Sequence, residues 1–184
     1  MTNAAIIRDR LLIAASFVFV IGVLGHGCAG PVAAQAAPEI SGEAFALDGD
    51  TISVGKHRIR LFGIDAPELR QRCREKFWPQ FSVECGRDAL TALDGILKAG
   101  NRRVTCRAVD RDDYGRIVAV CRAGKTDLAE AMAENGQALA YTRYRDRDPE
   151  RSDAYLEAEH RAIAAKCGLW ALDFDTPWDW RHAR

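Results

Sequence analysis

Five short segments of the chain alternate apolar and polar residues between turn residues. They are residues 43–47, 51–54, 57–62, 104–109 and 117–121. A period of two is typical of strands that bury one face in a core. Asp48-Gly49 and Gly55-Lys56 separate the first three segments, and the last two flank a turn centred near Asp113. The pattern therefore predicts an antiparallel sheet of five short strands.

Three further segments repeat their apolar residues at helical spacing. They are residues 83–99, 127–136 and 148–168. Asp127 with Glu130, and Asp148 with Pro149, are typical of helix starts, and a glycine marks the end of each segment. An antiparallel sheet with segregated helices predicts the α+β class, here a five-stranded OB-fold β-barrel with three α-helices.

Two segments show neither pattern. Residues 69–81 are basic and aromatic, and we expect an irregular loop there. The tail, residues 169–184, contains Trp170, Trp178 and Trp180. We expect this tail to pack against the body of the protein rather than to bind a ligand. The sequence shows no internal repeat and no sign of a second domain.

The first 36 residues have the order of a secretory signal peptide. Arg8 and Arg10 precede the apolar run from Leu11 to Leu24, and small residues follow up to Ala36. The run has fourteen residues, whereas a membrane span needs about 20. We expect cleavage after Ala36, which leaves residues 37–184 as one secreted or periplasmic domain. An uncleaved N-terminal anchor is the alternative, and only that form would associate with a membrane.

Overall charge gives no support to nucleic-acid binding. The chain has 26 basic and 26 acidic residues, so any attraction to a polyanion must be local. Basic residues do cluster at residues 70–76 and 143–151. Two solvated loops and a local binding surface are both consistent with these clusters.

Five cysteines follow the predicted cleavage point. They are Cys73, Cys85, Cys106, Cys121 and Cys167. No Cys-x-x-Cys or His-x-x-x-His spacing indicates a zinc site, and an exported protein favours disulfides. Among the fifteen arrangements of two bridges we expect Cys106–Cys121, equidistant from the predicted hairpin turn, and Cys73–Cys85, which closes a polar loop. Cys167 then remains free, and we expect it to be buried near a helix end.

Opposed charges lie among the apolar residues of the predicted strands. Asp50, Arg60, Asp65 and Glu68 fall within nineteen residues, and Arg116 follows in a separate Asp-Tyr-Gly-Arg motif. Such groups are costly beside core residues unless they pair or bind a ligand. Two carboxylates for a hard cation, one for a water and two arginines for a phosphate would form a phosphodiesterase site. The plainer alternatives are turn chemistry for the aspartate and ordinary salt bridges for the arginines.

Four motifs in order resemble the thermonuclease family, the staphylococcal-nuclease-like (SNase) domains. They are Asp48-Gly49-Asp50-Thr51, Arg60 with residues 61–68, Asp113-Tyr114-Gly115-Arg116 and Gly168-Leu169-Trp170. The resemblance covers residues 43–172. It implies an OB barrel with three helices and a calcium-dependent nuclease that acts on DNA and RNA.

The resemblance also implies a metal site. Asp50 and Asp65 match the carboxylates that bind Ca²⁺, and the backbone carbonyl of Ala66 matches a further ligand. The best-known family member has threonine in place of Ala66, so a carbonyl ligand is kept here and a hydroxyl is lost. Asp48 is expected to hold these ligands in place without binding the metal itself.

The remaining roles concern the reaction and its substrate. Glu68 matches the residue that orients or deprotonates the attacking water, and Arg60 and Arg116 match the pair that binds the scissile phosphate. Water attack is then expected to give 3′-phosphate ends, with little sequence preference. Tyr114 matches a tyrosine beside the bound nucleotide, and either Tyr141 or Tyr144 matches a second one.

Two other classes of protein remain as alternatives. The first is a non-catalytic barrel that binds nucleic acid or a peptide, and the second is an envelope protein whose charged residues form structural pairs. We expect a monomer without a small-molecule cofactor. His57, His160 and His182 are scattered, and we interpret all three as surface or structural residues.

Overall fold

The computed structural model describes residues 39–183, so the predicted signal peptide lies outside the described residues. The strands in this range are β1 (Glu39–Ala46), β2 (Thr51–Val54), β3 (His57–Leu61), β4 (Ile64–Asp65), β5 (Cys73–Glu75), β6 (Ser82–Val83), β7 (Arg103–Arg111), β8 (Ile117–Ala123), β9 (Thr126–Asp127), β10 (Leu139–Ala140) and β11 (Leu172–Asp173). The helices are α1 (Cys85–Ala99), α2 (Leu128–Glu134), α3 (Pro149–Ala165) and α4 (Pro177–His182), with 3₁₀ turns at Thr142–Arg147 and Gly168–Ala171. No helix within the described range is long and apolar enough to cross a membrane.

Five strands form the barrel. These strands, β1, β2, β3, β7 and β8, belong to a six-stranded sheet of order β3-β2-β1-β7-β8-β9 with antiparallel neighbours. A parallel pairing of β3 with β8 closes the barrel and leaves β9 outside it. Alternate residues point inward, so that Ile52, Ile59 and Ala119 are fully buried. This closed five-stranded barrel with its helices confirms the predicted α+β OB fold.

Three longer helices cover the barrel as predicted. Helix α1 packs against β1 and α2, while α2 packs against β8 and α3. Ala89, Leu93 and Leu97 form the buried stripe of α1, at the four-residue spacing of one helix face. The side chain of Asp127 caps α2, and that of Asp148 caps α3. The predicted starts of α2 and α3 are therefore the observed ones, to within one residue, whereas α1 starts at Cys85, two residues after the predicted position.

The segment predicted as an irregular loop contains regular structure. Strand β5 pairs with β6 on one side and with β11, from the tail, on the other. A disulfide between Cys73 and Cys85 joins β5 to the start of α1. A second disulfide joins Cys106 and Cys121, which lie directly opposite each other on β7 and β8. These are the two bridges expected from the sequence.

The predicted burial of Cys167 is wrong, because this free thiol is exposed. Helix α3 buries Ala158 and Ala162 but ends at Ala165. Lys166 then adopts a left-handed conformation with φ of 53°, and the chain leaves the helix before Cys167. The buried stripe of α3 consequently stops short of this cysteine.

Candidate active site

The turn between β1 and β2 brings Asp50 to one end of the barrel. The backbone N–H of Asp50 donates to the Asp48 carboxylate at 3.0 Å, which stabilises the turn. A Cβ at Gly49 would lie 2.6 Å from the Cβ of Ala66 and 2.7 Å from that of Ala89. Only glycine therefore lets this turn approach α1 closely enough to bury Asp50.

Arg60 joins the two aspartates that were predicted as metal ligands. Its Nη1 donates to Oδ2 of Asp50 at 2.7 Å, and its Nη2 donates to Oδ1 of Asp65 at 2.9 Å. Both aspartates are buried, with 5% and 3% exposure. Burial raises the pKa of Asp50, although the charge of Arg60 opposes the rise. Burial acts to lower the pKa of Arg60, but the two carboxylates outweigh it and raise that pKa.

Arg181, a residue of α4, reaches the same cluster from the tail. Its Nη1 donates to Oε1 of Glu68 at 2.7 Å and to Oδ1 of Asp65 at 3.1 Å, while its Nη2 donates to Oδ2 of Asp65 at 2.8 Å. Partial burial opposes the charged form, but the hydrogen bonds that Arg181 donates to both carboxylates raise its pKa. The sequence analysis missed this residue. Thr176 and Pro177 are typical of a helix start, but they do not indicate where that helix docks.

The backbone of Glu68 is held between α1 and the tail. Its N–H donates to Oε1 of Gln71 at 3.1 Å, and Nε2 of the same glutamine donates to the carbonyl of Asp175 at 2.7 Å. Gln71 is itself buried, with 1% exposure. At the start of α1, a Cβ on Gly86 would overlap the carbonyl oxygen of Glu68. The main chain that carries Glu68 therefore has little freedom to move.

Arg116 faces the cluster from the β7–β8 hairpin. Its Nε donates to Oδ2 of Asp112 at 2.5 Å, and its backbone N–H donates to Oδ1 at 2.8 Å. Partial burial would raise the pKa of Asp112, but the bonds from Arg116 outweigh it and lower that pKa. The Arg116 guanidinium lies 5.6 Å from the ring centroid of Tyr114, which is 86% exposed. Asp112 thus orients the arginine at the hairpin end.

One cavity of about 650 Å³ connects these groups. It is lined by nine of the predicted site residues, namely Asp48, Asp50, Arg60, Ala66, Glu68, Tyr114, Arg116, Tyr141 and Tyr144. Asp65 is not among the lining residues and lies behind them, bound to Arg60 and Arg181. Seven residues that the sequence analysis did not assign to the site also line the cavity: Pro67, Asp112, Asp113, Arg143, Trp178, Arg181 and His182.

Aromatic rings form one wall of the cavity. The ring centroids of Tyr141 and Tyr144 lie 6.1 Å apart, and those of Trp178 and His182 lie 4.1 Å apart. The Arg143 guanidinium lies 5.7 Å from the Tyr144 ring and 6.0 Å from the Trp178 ring, between the two pairs. Such faces can stack nucleobases. Both candidate tyrosines belong to the wall, and His182 contributes to it as well.

The carboxylate oxygens of Asp50 and Asp65 suit a hard cation that completes its coordination shell with backbone carbonyls and water. Among residues 39–183, no three His, Cys, Asp or Glu side chains are arranged to hold a metal ion. Asp50 and Asp65 nevertheless converge on one guanidinium, and Ca²⁺ commonly combines such carboxylates with carbonyl and water oxygens. With Glu68, the cluster has three carboxylates against the two guanidinium groups of Arg60 and Arg181, so negative charge is in excess.

Fold and site together define an OB-barrel protein with a cluster of carboxylates and arginines at a cavity at one end of the barrel. Residues 58–172 match the family described as Staphylococcal nuclease homologue. This match covers more than half of the chain, and the protein belongs to that family.

Several relatives share most of the described domain. The chain is 36% identical to the succinoglycan biosynthesis protein ExoI of Rhizobium meliloti (strain 1021) over 138 residues, which are 74% of this chain and 68% of ExoI. It is 33% identical to an uncharacterized endonuclease of Escherichia coli over 145 residues, 75% of this chain and 82% of that protein. Identity to the probable staphylococcal-like nuclease CAN2 of Oryza sativa subsp. japonica is 34% over 134 residues, 72% of this chain but only 31% of CAN2.

Proposed function

We propose that this protein is a calcium-dependent nuclease that hydrolyses phosphodiester bonds of DNA and RNA with little sequence preference. The observation that carries the proposal is the convergence of three carboxylates and two arginines at one cavity, which all of them line except Asp65, directly behind the lining. The carboxylates are those of Asp50, Asp65 and Glu68, and the arginines are Arg60 and Arg116. Family membership and the relatives named as nucleases support the same class of reaction.

The proposed reaction divides the work among these groups. Asp50, Asp65 and the carbonyl of Ala66 would hold the calcium ion, which when bound polarises a phosphate oxygen. Glu68 accepts a proton from the attacking water as the water oxygen bonds to phosphorus. The bond from phosphorus to the 5′ oxygen breaks, that oxygen keeps the electron pair and takes up a proton from solvent, and the phosphate stays on the 3′ end. Arg116 donates to the phosphate oxygens as charge grows on them, and its orientation by Asp112 lowers the cost of that contact.

The aromatic wall supports binding of a flexible strand. Base stacking tolerates any sequence because every base has a flat face. Tyr114, Tyr141 and Tyr144 are the proposed stacking residues, and all three line the same cavity as the charged cluster. Single-stranded or denatured nucleic acid is therefore the expected preferred substrate.

Two disulfides support action in an oxidising compartment. We propose that the mature protein, residues 37–184, is secreted or periplasmic and works as a monomer. Cleavage of the N-terminal segment is part of this proposal, and N-terminal sequencing of the exported protein tests it. A first residue of Ala37 supports cleavage, whereas an intact N-terminus in the membrane fraction supports an anchor.

The Glu68→Gln variant tests the function. The purified, oxidised wild type is expected to degrade denatured DNA and RNA with calcium and to stop when calcium is chelated. E68Q is expected to lose about 10²–10⁴-fold in rate but to keep oligonucleotide binding, because only the proton acceptor is removed. Glu157, which is exposed on α3, provides the matched control in E157Q. Undiminished cleavage by E68Q would refute its role, and wild type that binds without cleaving would indicate a binding module.

A second candidate function comes from ExoI, whose name refers to succinoglycan biosynthesis and which aligns over 68% of its length. That name denotes a process rather than a chemical step, so the same site could serve it. Complementation of a deletion strain with wild type or E68Q distinguishes a biosynthetic role that needs hydrolysis from one that does not. Polysaccharide output restored by E68Q would show that a biosynthetic role does not need hydrolysis.

A further inference from the structure

The segment that follows the family match supplies a side chain to the active site. The match ends at residue 172, and Arg181 comes after it. Both terminal nitrogens of Arg181 bind the two oxygens of Asp65, and one of them also binds Oε1 of Glu68. A planar guanidinium that holds one carboxylate with two bonds has a fixed orientation. Arg181 is therefore able to hold Glu68 at a set distance from Asp65.

The tail that carries Arg181 is anchored at several points. Strand β11 pairs with β5, so that Asp173 lies opposite Arg74, and these two side chains also form a 2.9 Å ion pair. The carbonyl of Asp175 accepts a hydrogen bond from the buried Gln71. The Cys73–Cys85 disulfide ties the partner strand β5 to α1. A segment anchored in this way is typical of a fixed part of the site rather than of a segment that moves away when substrate binds.

The side chain of Glu68 needs such a support. It is 39% exposed and has several rotatable bonds, so that without a partner it would sample several rotamers. Proton transfer to Glu68 requires its carboxylate within hydrogen-bond reach of the attacking water. Arg181 engages only Oε1, and the other oxygen, Oε2, is then the one assigned to the water proton.

We propose that Arg181 is a positioning residue for hydrolysis, which holds the Glu68 carboxylate beside Asp65 from the anchored tail. The inference rests on the proposed nuclease function and extends it to a residue outside the family match. Because Arg181 acts through Glu68, its removal affects the reaction step more than the binding of nucleic acid.

Steady-state kinetics of R181A, R181K and the control R161A test the proposal. Arg161 pairs with Glu134 at 3.0 Å on the surface of α3 and does not line the cavity. R181A is expected to lose about 10–100-fold in kcat, as is typical when a partner of a site residue is removed. We expect its KM to change less than about threefold, R181K to recover part of the loss, and R161A to behave as wild type. Unfolding temperatures of all variants identify any loss that is due to folding.

A double-mutant cycle with E68Q makes the test specific. If Arg181 acts through Glu68, then R181A in the E68Q background causes no further loss of rate. Full additivity of the two losses would overturn the proposal.

Calcium affinity measured by calorimetry gives a readout apart from activity. Tighter calcium binding and equal or faster cleavage in R181A would show instead that Arg181 blocks the site. Absence of cleavage by wild type refutes the nuclease itself, whereas wild-type cleavage with an unaffected R181A refutes only this inference.

Discussion

Arg60 serves two purposes that can be separated by experiment. Its guanidinium bridges Asp50 and Asp65, which are both buried, and it also lines the cavity where a phosphate would bind. A buried ion pair adds little net stability, but removal of one partner leaves an uncompensated charge. Arg60 therefore supports the folded state in addition to its proposed contact with substrate.

Replacement of Arg60 by alanine is expected to destabilise the calcium-free protein by about 3–5 kcal/mol, because the buried Asp50 loses its cation, whereas Asp65 keeps its bonds to Arg181. Urea denaturation measures the change, and added calcium is expected to restore part of it. R58A is the control, since Arg58 is 58% exposed and lies 3.9 Å from Asp48. Its cost is expected to stay below about 1 kcal/mol. Equal urea midpoints for R60A and R58A would contradict a stabilising role of Arg60.

Residues within local motifs could be predicted from the sequence, and Arg181 could not. Asp50, Arg60 and Glu68 lie on adjacent strands and turns, so their motifs indicate their proximity. Arg181 meets Asp65 across 116 residues of chain. Its place depends on how the tail docks, and no local pattern in the tail encodes that docking. For the same reason, the sequence analysis interpreted His182 as a surface or structural residue and did not place it in the cavity wall.

At the scale of elements, the N-terminus of α1 supports the loop that carries Glu68. Gly86 lies against the carbonyl of Glu68, and its N–H donates to the carbonyl of Gln71 at 3.3 Å. The helix thus acts as a rigid surface behind the loop that carries Glu68. This explains a glycine in the first turn of a helix, where it has no conformational need.

Substitution of Gly86 and Gly95 by alanine separates packing from helix propensity. G86A is expected to destabilise the protein by about 1–3 kcal/mol and to lower activity, because the new methyl group displaces the Glu68 backbone. Gly95 is exposed on the same helix and has no atom within 4 Å of a Cβ position, so G95A is expected to stabilise by about 0.5–1 kcal/mol. Denaturation and nuclease assays check both. An active, stable G86A would show that the loop adapts freely.

The elements of the barrel could be predicted because each carries its own periodicity. The register of β7 and β8 places Cys106 opposite Cys121, as the symmetry of the hairpin predicts. Strands β5, β6 and β11 have only two or three residues, too few for a periodic signal. Their pairing joins Arg74 to Asp173, and such a contact depends on the whole fold rather than on local sequence.

At the scale of the whole molecule, the two disulfides have different consequences. Their sequence separations are similar, 12 and 15 residues, so both are expected to stabilise by about the same amount. Cys106–Cys121 connects two strands inside the barrel, which are also paired over residues 105–111 of β7. Cys73–Cys85 instead fixes the short strand that holds the tail against the body.

Serine pairs at the two bridges test this difference. Each double variant is expected to lose about 3 kcal/mol of unfolding free energy, as loop-closure entropy predicts. Only C73S/C85S is expected to lose nuclease activity at temperatures where both variants remain folded, because only its bridge supports β11 and Arg181. Activity and circular dichroism measured together check this. Equal activity losses would show that the tail docks independently of the bridge.

The long separation between Arg181 and its partners also bears on the order of assembly. Contacts between distant segments carry a greater entropic cost of loop closure than the hairpins of the barrel do. We therefore expect the barrel strands to associate before the tail docks between Asp65 and Glu68. A newly folded chain then reaches its full hydrolytic competence only in its last step, after most of its structure is complete. The time course of refolding should accordingly show barrel formation ahead of enzymatic activity.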